Sequence, residues 1–385
     1  MNKRFLPFLV LLFLAGAVSA QQKEALQPAP SWTAVLATAQ KESKLIFVDL
    51  YFTGCHPCAQ MDKEVFPNEL VHKELTQNFV AVKIDVFKEK LGDTLNMRYG
   101  VSGYPTFLIL DPSGKLLSMF AGYKDPGLLL TELTGAKWAA QKKKYLSGFT
   151  AEYRDHFPEF YITRYKDRKP ADAVAANAYI QSQKDWMSEP VALSIFATGK
   201  LEERVKEFVV NNVNEYRKRF GADLVLEKAS RILTEKLTKK LEGKRNDRAF
   251  EQFLGENEGR FAGEDWKIIR QGLSFTYYQQ IAKDTTALLH FANRYPVLHM
   301  GYMSALYSRM VVAKQLNEPA LSLFCQWADQ VITEESAMDM IQLAANLHKQ
   351  HSNTEGYKKY MQMALAKAKK YRMPADRYEK ALAQP

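Results

Sequence analysis

The sequence is poor in cysteine: its 385 residues hold three, and two of those, Cys55 and Cys58, stand in one tetrapeptide. That argues against a disulfide-stapled scaffold, which uses an even set of cysteines at wider spacings. Gly (19) and Pro (15) are not enriched and no low-complexity tract occurs, which excludes long disordered or fibrous stretches. Past residue 20, no segment approaches 18 uninterrupted apolar residues, the length a membrane helix needs. A phosphate loop, a dinucleotide fingerprint and a serine-centred hydrolase elbow are also missing. What remains is ordinary globular composition, 46% hydrophobic and 25% charged, in a chain long enough for two domains.

The first twenty residues read as a targeting segment and not as part of the fold. Lys3 and Arg4 form a basic start, Phe5 to Val18 an apolar run, and Val18-Ser19-Ala20 a small-residue site with cleavage before Gln21. The expectation is an exported, periplasmic protein that is not integral to the membrane once the signal is removed; an uncleaved anchor is the alternative. Charge is unevenly placed. The formal net of +10 divides into +2 over residues 1–20, −1 over 21–140 and +9 over 141–385. In the last part Lys and Arg mix with Glu and Asp along helical patterns, so a solvated helical surface is expected and no nucleic-acid partner.

Residues 31–135 alternate between helix and strand patterns, the mark of an α/β domain. Trp32 to Glu42 reads as a helix capped by Ser31. Leu45 to Tyr51, with a single acid at Asp49, and Phe79 to Asp85 read as buried strands. Thr106 to Leu110 and Lys115 to Phe120 form a hairpin about the Asp111-Pro112-Ser113-Gly114 turn, and Pro126 opens a helix ending near Gly135. From Trp138 onward strand patterns vanish and helix-period spacing dominates. The lysine run at 142–144 marks a boundary, giving a signal segment (1–20), an α/β domain (21–140) and an all-α domain (141–385). Helix breaks are expected near Pro158, Pro170, Pro190, Gly221, Gly255, Gly263, Pro296 and Pro319. The stretch from Pro319 to Ala328 weakly repeats from Gly356 to Ala364, at close to the roughly 34-residue period of tetratricopeptide-like helical hairpins.

The chemistry rests on Cys55-His56-Pro57-Cys58, placed directly after a buried strand and at the start of a helix. There the helix dipole and free N–H groups stabilise the Cys55 thiolate, the form that attacks a disulfide. Cys58, one turn on, is shielded and able to resolve the mixed disulfide. Pro57 suits a first turn because it has no N–H to leave unpaired, and a protonated His56 adds positive charge beside the thiolate. Zinc would need two further ligands that no nearby Cys or His supplies, so no metal is expected. A purely structural bridge across so short a loop constrains little chain entropy.

Taken together, Phe47 to Cys58 resembles the active-site strand and turn of the thioredoxin superfamily, and within it exported bacterial members such as the soluble C-terminal domain of transmembrane disulfide reductases. The resemblance covers residues 31–135. It implies a thioredoxin fold and a thiol–disulfide oxidoreductase acting on protein disulfide or thiol substrates. It also implies that the redox group is the Cys55–Cys58 pair, with no added cofactor, and that a membrane reductase could be the electron donor. It places a buried carboxylate at Asp49, which takes the Cys58 proton through water. Gly103-Tyr104-Pro105-Thr106 matches the cis-proline loop: Pro105 packs on the cysteine pair, and the Tyr104 backbone pairs with the substrate chain. Gly122 falls where a small residue leaves room for substrate. Three departures leave direction and partner choice open. Gly54 replaces the usual Trp before the first cysteine, His56-Pro57 replaces Gly-Pro, and Tyr104 is bulkier than the usual β-branched residue. The reducing direction is the reading preferred.

Several residues read as structural. Cys325 is expected as a buried helical thiol, His348 and His351 as an unsupported metal pair, and Phe157, Phe160, Tyr161, Tyr165, Tyr179, Trp186 and Phe196 as core. Two rival readings stand beside the enzyme: a helical partner-binding scaffold with a stable α/β appendage, and a redox sensor in which the cysteine pair alters the helical domain.

Overall fold

The computed structural model of the protein describes residues 24–150, 157–298, 300–312 and 316–383; the targeting segment expected over residues 1–20 lies outside them. The chain enters a sheet through the two-residue strand β1 (Gln27–Pro28) and turns into α1 (Trp32–Glu42). Ser31 caps α1 by accepting the Ala34 N–H at 3.1 Å. There follow β2 (Leu45–Tyr51), α2 (His56–Gln60) with a π-helical turn at Met61–Val65, α3 (Glu69–Asn78) and β3 (Phe79–Asp85). Then come α4 (Lys90–Arg98), β4 (Thr106–Leu110), β5 (Leu116–Ala121) and α5 (Pro126–Gln141).

The strands pair in the order β1-β3-β2-β4-β5, with β1, β3 and β2 parallel and β4 and β5 antiparallel to their neighbours. β2 is central, which is why it is apolar on both faces. Side chains alternate across it. Phe47 packs with Met61, Val65, Leu75, Phe107 and Leu133 beneath α3 and α5. Ile46, Val48 and Leu50 enter the opposite layer with Val35, Leu95 and Tyr99.

That second layer does not end at the sheet. It runs without a break into the helices beyond Glu159, through Phe149, Tyr161, Leu193 and Phe220. All elements described from Glu159 to Ala383 are helices. The two halves meet closely. A Cβ on Gly148 would lie 2.5 Å from the Phe220 ring, and one on Gly127 would lie 2.7 Å from Tyr371. Tyr161 donates to the Met97 carbonyl at 2.6 Å, and the Asn68 amide to the Tyr371 carbonyl at 2.7 Å.

Two local expectations are corrected and two elements added. β1 and α3 were not foreseen at all. α5 does not stop near Gly135 but runs to Gln141, because Leu129, Leu133 and Ala136 bury one face and outweigh the roughly 1 kcal/mol cost of an interior glycine. Gly255 likewise sits inside the helix Asp247–Glu258, held by buried Phe250, Phe253 and Leu254.

Candidate active site

The end of β2 passes through Phe52-Thr53-Gly54 into α2. Asp85, at the end of β3, holds this loop: its carboxylate accepts the Thr53 N–H at 3.1 Å and the Thr53 hydroxyl at 2.6 Å, and on its other oxygen the Phe87 N–H at 3.0 Å. Gly54 has φ +99°, a conformation that L side chains rarely adopt. The glycine standing where the resemblance would put a Trp is therefore what this turn requires.

Cys55 is the N-cap of α2, and its sulfur accepts the Cys58 N–H at 3.2 Å. Pro57 lies in the first turn. Cys55 and Cys58 are joined as a disulfide, and both are buried, while Thr53, Gly54 and His56 are exposed around them. A sulfur at a helix N-terminus facing a free N–H is where a thiolate gains most from the helix dipole.

Asp49 lies two residues from Phe47 on the same face of β2, between Lys83 of β3 and Phe107 of β4 in register. It is 2% exposed, and its Oδ1 has no hydrogen-bond partner among the described residues. Burial, reinforced by the nearby Asp62 and only partly opposed by Lys83, pushes its carboxyl up to about 7. Lys83 itself is engaged with Asp62 at 2.8 Å. The acid is thus poised to take and release a proton near neutrality.

The adjoining rim comes from β4 and β5. Leu50 pairs with Thr106, so the loop before β4 meets the end of β2 that leads to Cys55. The Tyr104–Pro105 peptide is cis. The Pro105 carbonyl accepts the Gly122 N–H at 2.8 Å, and the buried Thr106 donates its hydroxyl to the Gly103 carbonyl at 2.7 Å. Gly122 has φ +82°, and a Cβ there would meet nothing within 4 Å, so the space above it is open. Tyr104 donates to Asn96 Oδ1 at 2.8 Å, and burial raises its phenol to about 12.

Sequence reasoning missed Asp85, Asn96, Phe87 and Arg168. Phe52, Phe87 and Tyr104 form an aromatic wall beside the site, with ring centroids 5.1 to 5.8 Å apart. The guanidinium of Arg168, at the end of the helix Glu159–Asp167, lies 3.5 Å from the centre of the Phe87 ring. Asp85 had a legible signal, an acid closing a buried strand; Arg168 had none. Elsewhere, Cys325 is buried and free, its thiol pushed up to about 11 by burial. His348 stacks on Tyr360 and His351 faces Glu318 at 2.6 Å; no cluster able to hold a metal ion occurs among the described residues.

Comparison with known proteins falls on the α/β half. Residues 32–137 match the family described as "Thioredoxin-like domain". Thioredoxin-1 of Drosophila melanogaster is 37% identical over 81 residues, 21% of this chain and 69% of that protein. An uncharacterized protein of Caenorhabditis elegans is 37% identical over 79 residues, 19% of this chain and 11% of its own length. The thiol:disulfide interchange protein DsbD of Actinobacillus pleuropneumoniae is 31% identical over 78 residues, 20% of this chain and 13% of that protein. Except for Thioredoxin-1, this chain therefore matches only a small part of the length of these relatives.

Proposed function

The chain belongs to the thioredoxin-like family through its α/β half, and on that premise we propose that the whole protein is a thiol–disulfide oxidoreductase working in the reducing direction. The observation that carries the reading is the Cys55–Cys58 disulfide with Cys55 capping α2, directly after a strand whose buried Asp49 carboxyl is raised to about 7.

In the dithiol form the Cys55 thiolate attacks one sulfur of a substrate disulfide. A Cys55–substrate disulfide forms, the substrate S–S bond breaks, and the first substrate sulfur leaves as a thiolate. Cys58 then gives its proton to Asp49 through water, and its thiolate attacks the Cys55 sulfur. The second substrate thiolate leaves and the Cys55–Cys58 disulfide closes. Two electrons have passed to the substrate, and a donor must return two to the pair. His56, exposed beside Cys55, favours the thiolate when protonated. Pro105 and the Tyr104 backbone receive the substrate chain as a short strand, and Gly122 leaves it room.

The relative named as a thiol:disulfide interchange protein supports thiol–disulfide exchange as the reaction; protein thiols as substrates and a membrane reductase as donor are part of the proposal. The basic and apolar start of the sequence supports export to the periplasm. No helix among the described residues is long and apolar enough to cross a membrane. Arg168 against Phe87 supports a helical half that shapes the rim on which partners dock.

Equilibration with glutathione followed by thiol alkylation tests the proposal. A reduction potential near about −270 mV supports a reductase, and one near about −120 mV makes the protein an oxidant. Cys55→Ser is expected to reduce the exchange of a peptide disulfide to its uncatalysed rate. A pair that does not exchange with glutathione would overturn the enzyme reading and leave the scaffold.

A further inference from the structure

We propose that a cavity between the Gly100–Ser102 loop and the helical half binds a small organic anion, a carboxylate or phosphate on a short apolar body. The cavity has a volume of about 250 Å³ and begins two residues before Tyr104. That is just under the roughly 300 Å³ at which pockets for drug-sized molecules begin, so the occupant is a metabolite-sized ion and not a bare halide.

Its walls carry more positive than negative charge. Arg164, Lys228 and Arg231 line it, with Glu227 as the acid among them. Glu227 is engaged by Arg231 at 2.6 Å and accepts the Ser102 hydroxyl at 3.4 Å. Lys228 is 5% exposed and donates to a neutral group, the Thr198 carbonyl, at 2.7 Å; no carboxylate among the described residues forms an ion pair with it or with Arg164. The Arg164 guanidinium lies 5.9 Å from the centre of the Tyr165 ring, a neutral neighbour. Three cations thus face the cavity against one acid, Glu227, which Arg231 already engages.

A buried ammonium ordinarily acquires a carboxylate partner, because taking it out of water costs several kcal/mol otherwise. Here burial, with repulsion from Arg231 and Arg164 only partly opposed by Glu227, lowers the Lys228 ammonium to about 8. An anion seated between Lys228 and Arg164 would relieve both the desolvation and the repulsion, in a place where low dielectric makes that interaction strong. Leu193, Phe196 and Leu224 supply an apolar side to the same space, which is what selects an organic body over inorganic phosphate. The loop packs closely on the helical half: Gly100 has φ +63°, and a Cβ on it would lie 3.1 Å from Leu193. An occupant would therefore touch the segment that leads into Tyr104–Pro105.

This inference stands apart from the redox reading and is tested without it. Isothermal titration of the full chain at physiological salt would use benzoate, phenyl phosphate, inorganic phosphate and the neutral benzamide. One-to-one binding of benzoate or phenyl phosphate is expected, with the stronger of the two identifying the head group, and none of benzamide. Lys228→Met keeps the side-chain length and removes the charge, and should weaken binding roughly tenfold or more. Arg164→Gln provides a second variant should the first fail to fold, and Arg248→Gln on the helix Asp247–Glu258 should leave binding unchanged. Absence of saturable binding of either organic anion by the unaltered chain, or equal binding by the Lys228 and Arg164 variants, would overturn the proposal.

Discussion

Two buried aspartates lie in two regions of this molecule, and their surroundings could hardly differ more. Asp49 sits in the middle of the sheet with one oxygen unpartnered. Asp125 sits at the seam between the α/β and helical halves, 1% exposed, with every direction filled. It accepts the Leu128 N–H at 2.9 Å as the cap of α5, accepts the Met338 N–H at 2.8 Å, and faces the equally buried Lys367 ammonium at 3.4 Å. Burial is common to both; what differs is the count of partners, two backbone N–H donors and an ammonium for Asp125 against an unpartnered Oδ1 for Asp49.

That contrast can be broken most forcefully at the seam. Asp125→Ala would leave Lys367 charged, buried and unpaired, and should cost about 3–5 kcal/mol in urea unfolding of the whole chain. An unchanged unfolding midpoint would mean that the seam is not where the halves are joined. Asp49→Asn should act with the opposite sign. The carboxyl titrates at about 7 in the folded chain and at 3.8 when unfolded. The folded form therefore holds its proton more tightly. The resulting stability is fully present below about pH 4 and is lost as pH rises towards 7. At 1.36 kcal/mol per pH unit this amounts to about 4 kcal/mol by pH 8. The variant should be more stable than the parent by up to that amount at pH 8, and equal to it at pH 4. Its disulfide exchange at neutral pH should fall about 10²-fold, as expected when a proton acceptor is removed.

Smaller effects sharpen the comparison within the site. Gly54→Ala places a side chain at φ +99° and should destabilise by about 1 kcal/mol in the same denaturation assay. Arg168→Ala removes an exposed cation–π contact, worth about 0.5–1 kcal/mol. It should change KM for a peptide disulfide about two- to fivefold, and leave exchange with a small disulfide untouched. An equal change for both substrates would remove the helical half from the rim.

The α/β half was largely legible in advance because its signals are local. A continuous apolar run with one acid reads as a central strand, and a Cys-x-x-Cys pair with Pro57 at its end reads as the start of a helix. The bounds of α1, β2, β3 and β4 follow from such patterns. β1 was missed because two residues on a sheet edge carry no alternation. α3 was missed although Asn68 caps it on the Leu70 and Val71 N–H groups, since its exposed face is mostly polar. Gly135 and Gly255 misled because an interior glycine looks like a break when the buried face that outvotes it is not yet visible. Asp49 was recognisable as a buried acid, but its missing hydrogen bond depends on Phe107 and Lys83, residues of other strands.

By itself the sequence determined the strand–turn–helix that carries Cys55 and Cys58 and the helical character of the elements described after Trp138. Each of these is set by side-chain periodicity and capping over a few consecutive residues. Tertiary structure alone decided how the halves share one core, which aspartate is paired with Lys367, why Arg168 lies on Phe87, and that Lys228 and Arg164 face one cavity. Those contacts join residues tens to hundreds of positions apart. Their geometry comes from packing many side chains at once, which no local pattern encodes.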